Sequence, residues 1–303
     1  MINRIFEICD TAAHLKVENR CLLICLPDKP KLSVPLEEVG VLLMSNPAIS
    51  LTQPVLAELA AQGASVVVTG EKHIPHALML PLGVPATQAE IFQAQAQSSL
   101  PIQKRAWQQV VQAKLHGQVA VLQSLGQTAD CLNILISKVR AGDPDNIEAR
   151  AAKLYWQKLY EGRSFRRDPE GDGPNAFLNY GYSVLRAIVA RAVCASGLHP
   201  ALGIHHHNRY DNYCLASDLM EPFRPLVDKT VNDLLQAGKD EDSELTREDR
   251  QALINVFSGR IIVEGARMTF FQGVSRLTAS LADIYLKKRI DLVLPEQLWD
   301  ETT

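Results

Sequence analysis

The stretch HHHNRYDNYCLASDLMEPFRP, residues 205–225, combines imidazoles, carboxylates and a predicted helix start. Ser217 belongs to the residue types preferred as N-caps, so a helix is predicted from this residue to about residue 237. Asp218 and Glu221 are three positions apart and would share one face of its first turn. A histidine-rich loop that leads into a helix bearing carboxylates can supply ligands for a hard divalent cation.

The same carboxylates also have a purely structural interpretation. Acidic side chains in the first turn of a helix interact favourably with the positive end of the helix dipole. Glu221 could equally pair with Arg224 on a solvated surface. Both interpretations remain open on the pattern of this stretch alone.

The composition indicates a globular chain with a sizeable core. Its 303 residues are 47% hydrophobic, and the formal net charge of -3 does not indicate general binding to nucleic acid. Basic clusters at residues 163–167 and 287–289 could still bind phosphate locally. The six cysteines form no C-x-x-C pair, so we expect buried free thiols in a reducing compartment.

The apolar runs predict a soluble, cytoplasmic protein without a membrane partner. The N-terminus lacks the features of a signal peptide. The best candidate for a membrane span is interrupted by Arg186 and Arg191.

The predicted fold class is α+β, with a small N-terminal β-rich domain at residues 1–85 and a larger all-α domain at residues 86–303. Thr52 is expected to cap the one helix of the first domain, which runs through residue 61, and a linker is expected near residues 82–85. Short β-prone runs lie at residues 2–9, 15–18, 20–26, 39–44 and 64–69. No glycine-rich phosphate loop occurs there, which disfavours a nucleotide-binding Rossmann domain.

Helix-forming residues dominate the second part of the chain. Helices are predicted at residues 87–98, 101–124, 129–140, 175–196, 246–257 and 271–289, with a small hairpin at 261–270. In the helix at 175–196, the polar residues Asn179, Tyr180 and Tyr182 could line a site. We favour the interpretation that they are packing residues.

Glu148 lies near the start of a further helix that is predicted to run to Tyr160. Asp145 and Glu148 have the spacing of a capping box, which is a structural explanation. Glu148 also shares a helical stripe with the apolar side chains around Tyr155, where an unpaired carboxylate is unfavourable. A metal ion would compensate it, and so would a lysine or arginine from elsewhere in the chain.

Five segments in this order resemble the CRISPR-associated protein 1 family, the endonuclease and integrase of spacer acquisition. The overall length and layout resemble its compact type II version. The segments are Glu148 with Ala151-Ala152 and Tyr155-Trp156, LNYGY at 178–182, GLHP at 197–200, LGIHH at 202–206 and LASDLMEPFRP at 215–225.

The resemblance implies a catalytic metal site formed by Glu148, His206 and Glu221, with Mg²⁺ or Mn²⁺ as the cofactor. Asp218 corresponds to a nearby second acid, which either supports the site or is an alternative ligand. A shift of one position would replace His206 by His205 or His207.

The implied function is a metal-dependent DNA endonuclease and integrase that inserts spacer DNA into a CRISPR array, in adaptive antiviral defence. A 3′-hydroxyl or water would attack a phosphodiester. The implied partners are double-stranded DNA (spacer precursor and CRISPR repeat), a second copy of the chain bound through the β-rich domain, and a small second adaptation protein. Candidate phosphate contacts are Arg163, Arg166, Arg167, Arg209 and Arg224.

Two other classes of function remain open on the sequence. One is a metal-dependent hydrolase of small molecules that uses the histidine cluster, although no H-E-x-x-H or Cys/His zinc pattern supports it. The other is a non-catalytic, DNA-binding scaffold in which the acidic residues only cap and pair. A scaffold of this kind would gain no stability from metal.

Overall fold

The computed structural model describes residues 3–9, 11–70, 75–81, 87–163, 165–169, 171–239 and 243–299. The N-terminal part contains two four-stranded sheets, ordered β4-β3-β2-β6 and β1-β5-β7-β8, and one helix. Its elements are β1 (Arg4–Ile8), β2 (Ala13–Glu18), β3 (Cys21–Cys25), β4 (Leu32–Pro35), β5 (Val39–Met44), β6 (Ile49–Leu51), α1 (Gln53–Ala61), β7 (Ser65–Thr69) and β8 (Pro75–Met79).

Strand β5 is apolar along its whole length because both faces of its sheet are covered. It pairs in parallel with β1 and β7, with Leu42 opposite Val66. Leu42 and Val66 belong to a small core shared with the other sheet and α1. Val41, Leu43 and Val67 belong instead to the large core formed by the helices that follow. The sheet therefore separates two cores and contributes to both.

The rest of the chain is mainly helical, as predicted. Its helices are α2 (Gln88–Ala96), α3 (Leu100–Ser124), α4 (Asp130–Ile136), α5 (Ile147–Leu159), α6 (Pro174–Ala195), α7 (Cys214–Met220), α8 (Arg224–Gln236), α9 (Arg247–Asn255) and α10 (Phe270–Tyr285). Helix α6 is the most central, with α7, α8, α9 and α10 packed against it. Its apolar side chains, such as Phe177 and Ile188, are buried.

The prediction of an all-α second domain is wrong in one respect. Strands β9 (Arg260–Val263), β10 (Ala266–Thr269) and β11 (Pro295–Gln297) form an antiparallel sheet within it. The hairpin of β9 and β10 was expected from the sequence, but β11 was not. The predicted linker at residues 82–85 lies outside the described residues, and the domain boundary at residue 85 stays a prediction.

The helix predicted to start at Ser217 begins earlier. The turn before it is fixed by Asp211, whose carboxylate accepts a hydrogen bond from the backbone N–H of Tyr213, and α7 starts at Cys214. The helical backbone then passes through a 3₁₀ turn, Glu221–Phe223, into α8. Pro222 lies in that turn and cannot donate a backbone hydrogen bond, which accounts for the local change of helix type.

Two further expectations from the sequence can be compared with the structure. All six cysteines lie in the described ranges and none forms a disulfide, but only Cys194 and Cys214 are buried while the other four are half-buried. Among the described residues, none of the helices has the length and apolar character needed to cross a membrane.

Candidate active site

Four segments bring the predicted site residues together. Glu148 lies in the first turn of α5, and Glu221 opens the 3₁₀ turn between α7 and α8. His206 lies in the loop between α6 and α7. The fourth segment, α3, contributes Lys114 from its middle.

Glu148 is positioned by a helix cap that differs from the predicted one. Both carboxylate oxygens of Asp143 accept hydrogen bonds, from the backbone N–H groups of Ile147 and Glu148, each at 2.9 Å. Asp145, predicted to form a capping box with Glu148, instead pairs with Arg140 on the surface. The Glu148 side chain is thus not used for capping and is available to the site.

A lysine compensates the carboxylate on the apolar stripe. The Nζ atom of Lys114 lies 2.6 Å from Oε1 of Glu148 and 2.5 Å from Oε2 of Glu221. The Lys114 side chain is only 9% exposed. Burial by itself would lower the pKa of Lys114, but Glu221 and Glu148 raise it, so the side chain remains a cation at neutral pH.

Glu221 is held by a second cation. Arg224 Nη1 donates a hydrogen bond of 2.7 Å to Glu221 Oε1, and the Glu221 side chain is only 8% exposed. Burial alone would raise the pKa of Glu221, but Arg224 and Lys114 lower it to about 2. The pair of Glu221 and Arg224 was anticipated on a solvated surface, whereas it lies in the interior.

His206 is oriented by Asp218, which is fully buried. One carboxylate oxygen, Oδ2, accepts hydrogen bonds from the backbone N–H groups of Ile204 and His205 at 2.7 and 2.9 Å. The other, Oδ1, lies 2.5 Å from Nδ1 of the His206 ring. Because an ionised carboxylate only accepts, Nδ1 carries the proton and Nε2 is left with its lone pair.

The hydrogen bond between His206 and Asp218 also affects the pKa of the histidine. The bond to Asp218 is the main reason why the pKa of His206 is raised, and the carboxylates of Glu221 and Glu148 add to it. Gly203 permits this loop, because a Cβ atom there would lie 2.9 Å from Oδ2 of Asp218 and would clash with the backbone of His206.

The neighbouring histidines are placed differently. The His205 ring stacks on Trp107, with ring centroids 4.2 Å apart and planes inclined by 2°. Burial lowers the pKa of His205. The third histidine of the run, His207, is exposed. The His206 ring makes edge contacts with Trp107 and His205, with centroids 5.6 and 5.1 Å away. Of the three rings, His206 is the one held by a buried carboxylate.

The donor set is suitable for a divalent cation. The buried Glu221 and the half-buried Glu148 converge on one cationic atom, and carboxylate oxygens are the preferred ligands of Mg²⁺ and Mn²⁺. The free Nε2 of His206 could add a nitrogen ligand. In the part of the chain that the structure describes, no three His, Cys, Asp or Glu side chains are grouped closely enough to hold a metal ion as they stand. The Nζ atom of Lys114 lies between the two carboxylates.

Comparison with known proteins identifies the family. The family described as CRISPR associated protein Cas1 matches residues 8–265. CRISPR-associated endonuclease Cas1 of Neisseria meningitidis serogroup C is 36% identical over 269 residues, which cover 88% of both chains. The chain belongs to the Cas1 family. The resemblance predicted from the sequence is confirmed, and with it the function as a CRISPR-associated, spacer-integrating nuclease.

Solved structures show that the Cas1 fold covers nearly the whole chain. A casposase bound to its integration product has a TM-score of 0.81 and 20% identity, covering 99% of this chain and 95% of that one. A Cas6-RT-Cas1–Cas2 complex has a TM-score of 0.74 and 20% identity, covering 99% of this chain and 36% of that one. Membership of the Cas1 family leaves the small-molecule hydrolase and the non-catalytic scaffold without support.

Sequence reasoning missed Lys114 as part of the Cas1 site. The signal was present, because Lys114 lies three and four residues after Val111 and Val110 and directly before Leu115, on the apolar face of a helix. A lysine in that position needs a carboxylate partner as much as Glu148 needs a cation. Asp218 was recognised, but its role as the anchor of the histidine loop depends on contacts that the spacing of residues does not reveal.

Behind the site, Tyr182 links two of its supports. Its hydroxyl donates a hydrogen bond to the buried carboxylate of Asp228. The guanidinium carbon of Arg224 lies 4.2 Å from the centroid of the Tyr182 ring. Burial raises the pKa of Asp228 to about 6. The preference for Tyr182 as a packing residue agrees with this position, since it supports Arg224 from outside the cluster.

The candidate phosphate contacts fall into two groups. Arg167 donates hydrogen bonds to Asn175 and Asn179, at 3.0 and 2.6 Å, and Arg224 is paired with Glu221, so both stabilise the fold around the site. Arg166 is exposed. The guanidinium of Arg209 lies over the exposed ring of Tyr210, 4.6 Å from its centroid. Exposed arginines such as these remain candidates for DNA contacts.

Proposed function

We propose that this Cas1 protein inserts spacer DNA into a CRISPR array by metal-dependent phosphoryl transfer, with Glu148, His206 and Glu221 as metal ligands and catalytic residues. The observation that carries the proposal is the convergence of two carboxylates from separate segments on one cationic atom. The histidine fixed by the buried Asp218 has a pKa that the same two carboxylates help to raise. Mg²⁺ or Mn²⁺ matches two oxygen ligands and one imidazole.

The chain's own residues prepare the site for this chemistry. Asp218 holds His206 in the tautomer that presents a lone pair at Nε2, an arrangement common for metal-binding histidines. Arg224 fixes one oxygen of Glu221 and leaves the other directed towards Glu148. A bound divalent cation would stabilise the charge that develops on the attacked phosphate and would lower the pKa of the nucleophile.

The reaction exchanges one phosphodiester bond for another. The 3′-oxygen of the spacer precursor forms a new bond to phosphorus, while the bond to the 3′-oxygen of the repeat strand breaks and that oxygen takes up a proton. Water replaces the 3′-hydroxyl when the protein acts as an endonuclease. No covalent intermediate with the protein is required, and no serine or tyrosine is assigned as a nucleophile.

The proposed partners are double-stranded DNA, a second copy of the chain and a small second adaptation protein. Two structural relatives support DNA and the small protein as partners, since one is bound to an integration product and the other is a complex with Cas2. We infer that the dimer forms through the N-terminal sheets. A monomer at micromolar concentration in sedimentation would contradict the dimer.

A strand-transfer assay tests the proposal. A short double-stranded donor and a supercoiled plasmid would be incubated with the protein and its small partner, in Mn²⁺, Mg²⁺ or EDTA. We expect joining with metal, none in EDTA, and a loss of at least about 100-fold in Glu148→Gln, His206→Ala and Glu221→Gln. His207→Ala provides the matched control, because that ring is exposed. Full activity in EDTA, or in all three variants, would refute the assignment.

A further inference from the structure

Lys114 lies where the proposed metal would compete for ligands. Its ammonium group contacts one oxygen of Glu148 and one oxygen of Glu221, at 2.6 and 2.5 Å. These are two of the three proposed metal ligands. Lys114 and Glu221 are buried and Glu148 is half-buried, so water screens these contacts less than it would on the surface.

The charges of the cluster are already balanced. Glu148 and Glu221 supply two negative charges, and Lys114 and Arg224 supply two positive charges, so the four side chains sum to zero. A divalent cation added to this cluster would leave a buried charge of two, which is unfavourable without further anions. Phosphate groups of bound DNA would supply such anions.

The contacts of the two cations differ in one respect. Arg224 is anchored to the ring of Tyr182 as well as to Oε1 of Glu221. Among the described residues, the ion pairs of Lys114 are directed only to the two proposed ligands. Lys114 is therefore the cation that a metal ion would replace.

We propose that Lys114 is an internal counter-cation that holds Glu148 and Glu221 together without metal and competes with the metal for their oxygens. The inference rests on the proposed metal site. It makes Lys114 a positioning residue, and it implies weak metal binding by the free protein and stronger binding when DNA is present.

Metal binding by the intact chain provides the test, independently of catalysis. Free Mn²⁺ would be measured by electron paramagnetic resonance, and the melting temperature would be recorded with and without Mn²⁺. Lys114→Met removes the charge at similar length, whereas Lys114→Arg retains it. Lys239→Met is the matched control, because Lys239 pairs with the buried Asp249 at 3.0 Å through contacts that do not involve the site.

We expect Lys114→Met to melt at a lower temperature than the wild type without metal, because the buried Glu221 and the half-buried Glu148 lose a cation. It should bind Mn²⁺ at least about tenfold more tightly than the wild type. The addition of Mn²⁺ should also raise its melting temperature by more than that of the wild type. Lys114→Arg and Lys239→Met should bind Mn²⁺ as the wild type does. Equal or weaker binding by Lys114→Met, with a wild type that binds Mn²⁺, would overturn this inference alone.

Absence of Mn²⁺ binding in both proteins would overturn the proposed metal site and this inference with it. If Lys114→Met does not fold, the inference can still be tested on the wild-type protein. Reductive methylation with mass spectrometry would follow the reactivity of the Lys114 amine. We expect protection without metal and faster labelling in saturating Mn²⁺. Unchanged labelling of Lys114 in saturating Mn²⁺ would overturn the inference.

Discussion

The buried carboxylate of Asp218 binds both the ring and the backbone of His206, with Nδ1 of the ring at 2.5 Å and the backbone N–H at 3.3 Å. One side chain thus determines the position of the loop and the tautomer of its central imidazole. The histidine alone could rotate freely, since its side chain is 50% exposed. The order of the site depends on this pair.

Asp218→Asn should therefore impair the reaction without removing a proposed ligand. An amide keeps the shape of the side chain, but only one of its two terminal atoms accepts hydrogen bonds. We expect strand transfer to fall by about 10–100-fold and the pKa of His206 to fall, as measured by NMR titration. Asn232→Asp on α8 is a comparison that also alters a buried polar residue. An unchanged pKa of His206 would contradict the role of Asp218.

The choice between neighbouring histidines can be tested by ring replacement. Phenylalanine preserves the stack on Trp107, so His205→Phe should remain active and fold normally. His206→Phe lacks both ring nitrogens and should lose at least about 100-fold in strand transfer. Plasmid-joining assays with both variants would show which of the two histidines the reaction requires. The opposite result would move the ligand to His205 and leave the two glutamates in place.

Two adjacent arginines should respond differently to removal. Arg167→Ala removes one donor from the side-chain oxygen of Asn179 and one from that of Asn175, which keeps the backbone N–H of Asp168. We expect the free energy of unfolding to fall by about 1–3 kcal/mol. The exposed Arg166 has no such role. Arg166→Ala should leave the melting temperature unchanged but weaken DNA binding. The salt dependence of the DNA affinity should fall by the amount expected for the loss of about one phosphate contact. Fluorescence anisotropy at several salt concentrations measures the DNA affinity. An unchanged slope of affinity against salt concentration would exclude Arg166 as a phosphate contact.

The buried carboxyl group of Asp228 should make the stability of the protein depend on pH. Burial raises its pKa to about 6 in the folded protein, from an ordinary value of 3.8. The folded state therefore binds more protons between these values, and its free energy of unfolding falls as the pH rises through that window. A difference of about 2 pH units corresponds to roughly 3 kcal/mol.

Asp228→Asn does not titrate and keeps an oxygen that can accept from Tyr182. Relative to the wild type, this variant should gain stability as the pH rises from about 4 to 6. Urea unfolding at several pH values measures the difference between the two proteins. A difference that is independent of pH would show that Asp228 titrates normally.

The helices of this protein could be predicted more completely than its strands. The helical patterns are local, and each predicted helix is present, although α4 and α10 end about four residues early. The sequence did not predict β4, β6, β8 and β11. Of these, β6 and β11 have three residues each and depend on partners distant in sequence, β2 and β9. Such strands are stabilised by pairing rather than by their own sequence.

The same distinction applies to the site. The position of Glu148 on an apolar stripe predicted that a cation must meet it, and this requirement is local. The identity of the cation was not predictable, because Lys114 is 34 positions away and on another helix. The start of α7 was misplaced for a similar reason, since contacts of the preceding loop outweigh the N-cap preference of Ser217.

Strand β5, whose alternate residues enter two cores, has a consequence for how the molecule can be divided. A fragment ending near residue 85 would leave Val41, Leu43 and Val67 as a bare apolar row on one sheet face. Such a surface favours self-association. We expect the fragment to aggregate when it is expressed alone, and the intact chain to unfold in one cooperative transition. Spacer-acquisition variants should thus be made by point substitution rather than by truncation or exchange of the N-terminal part.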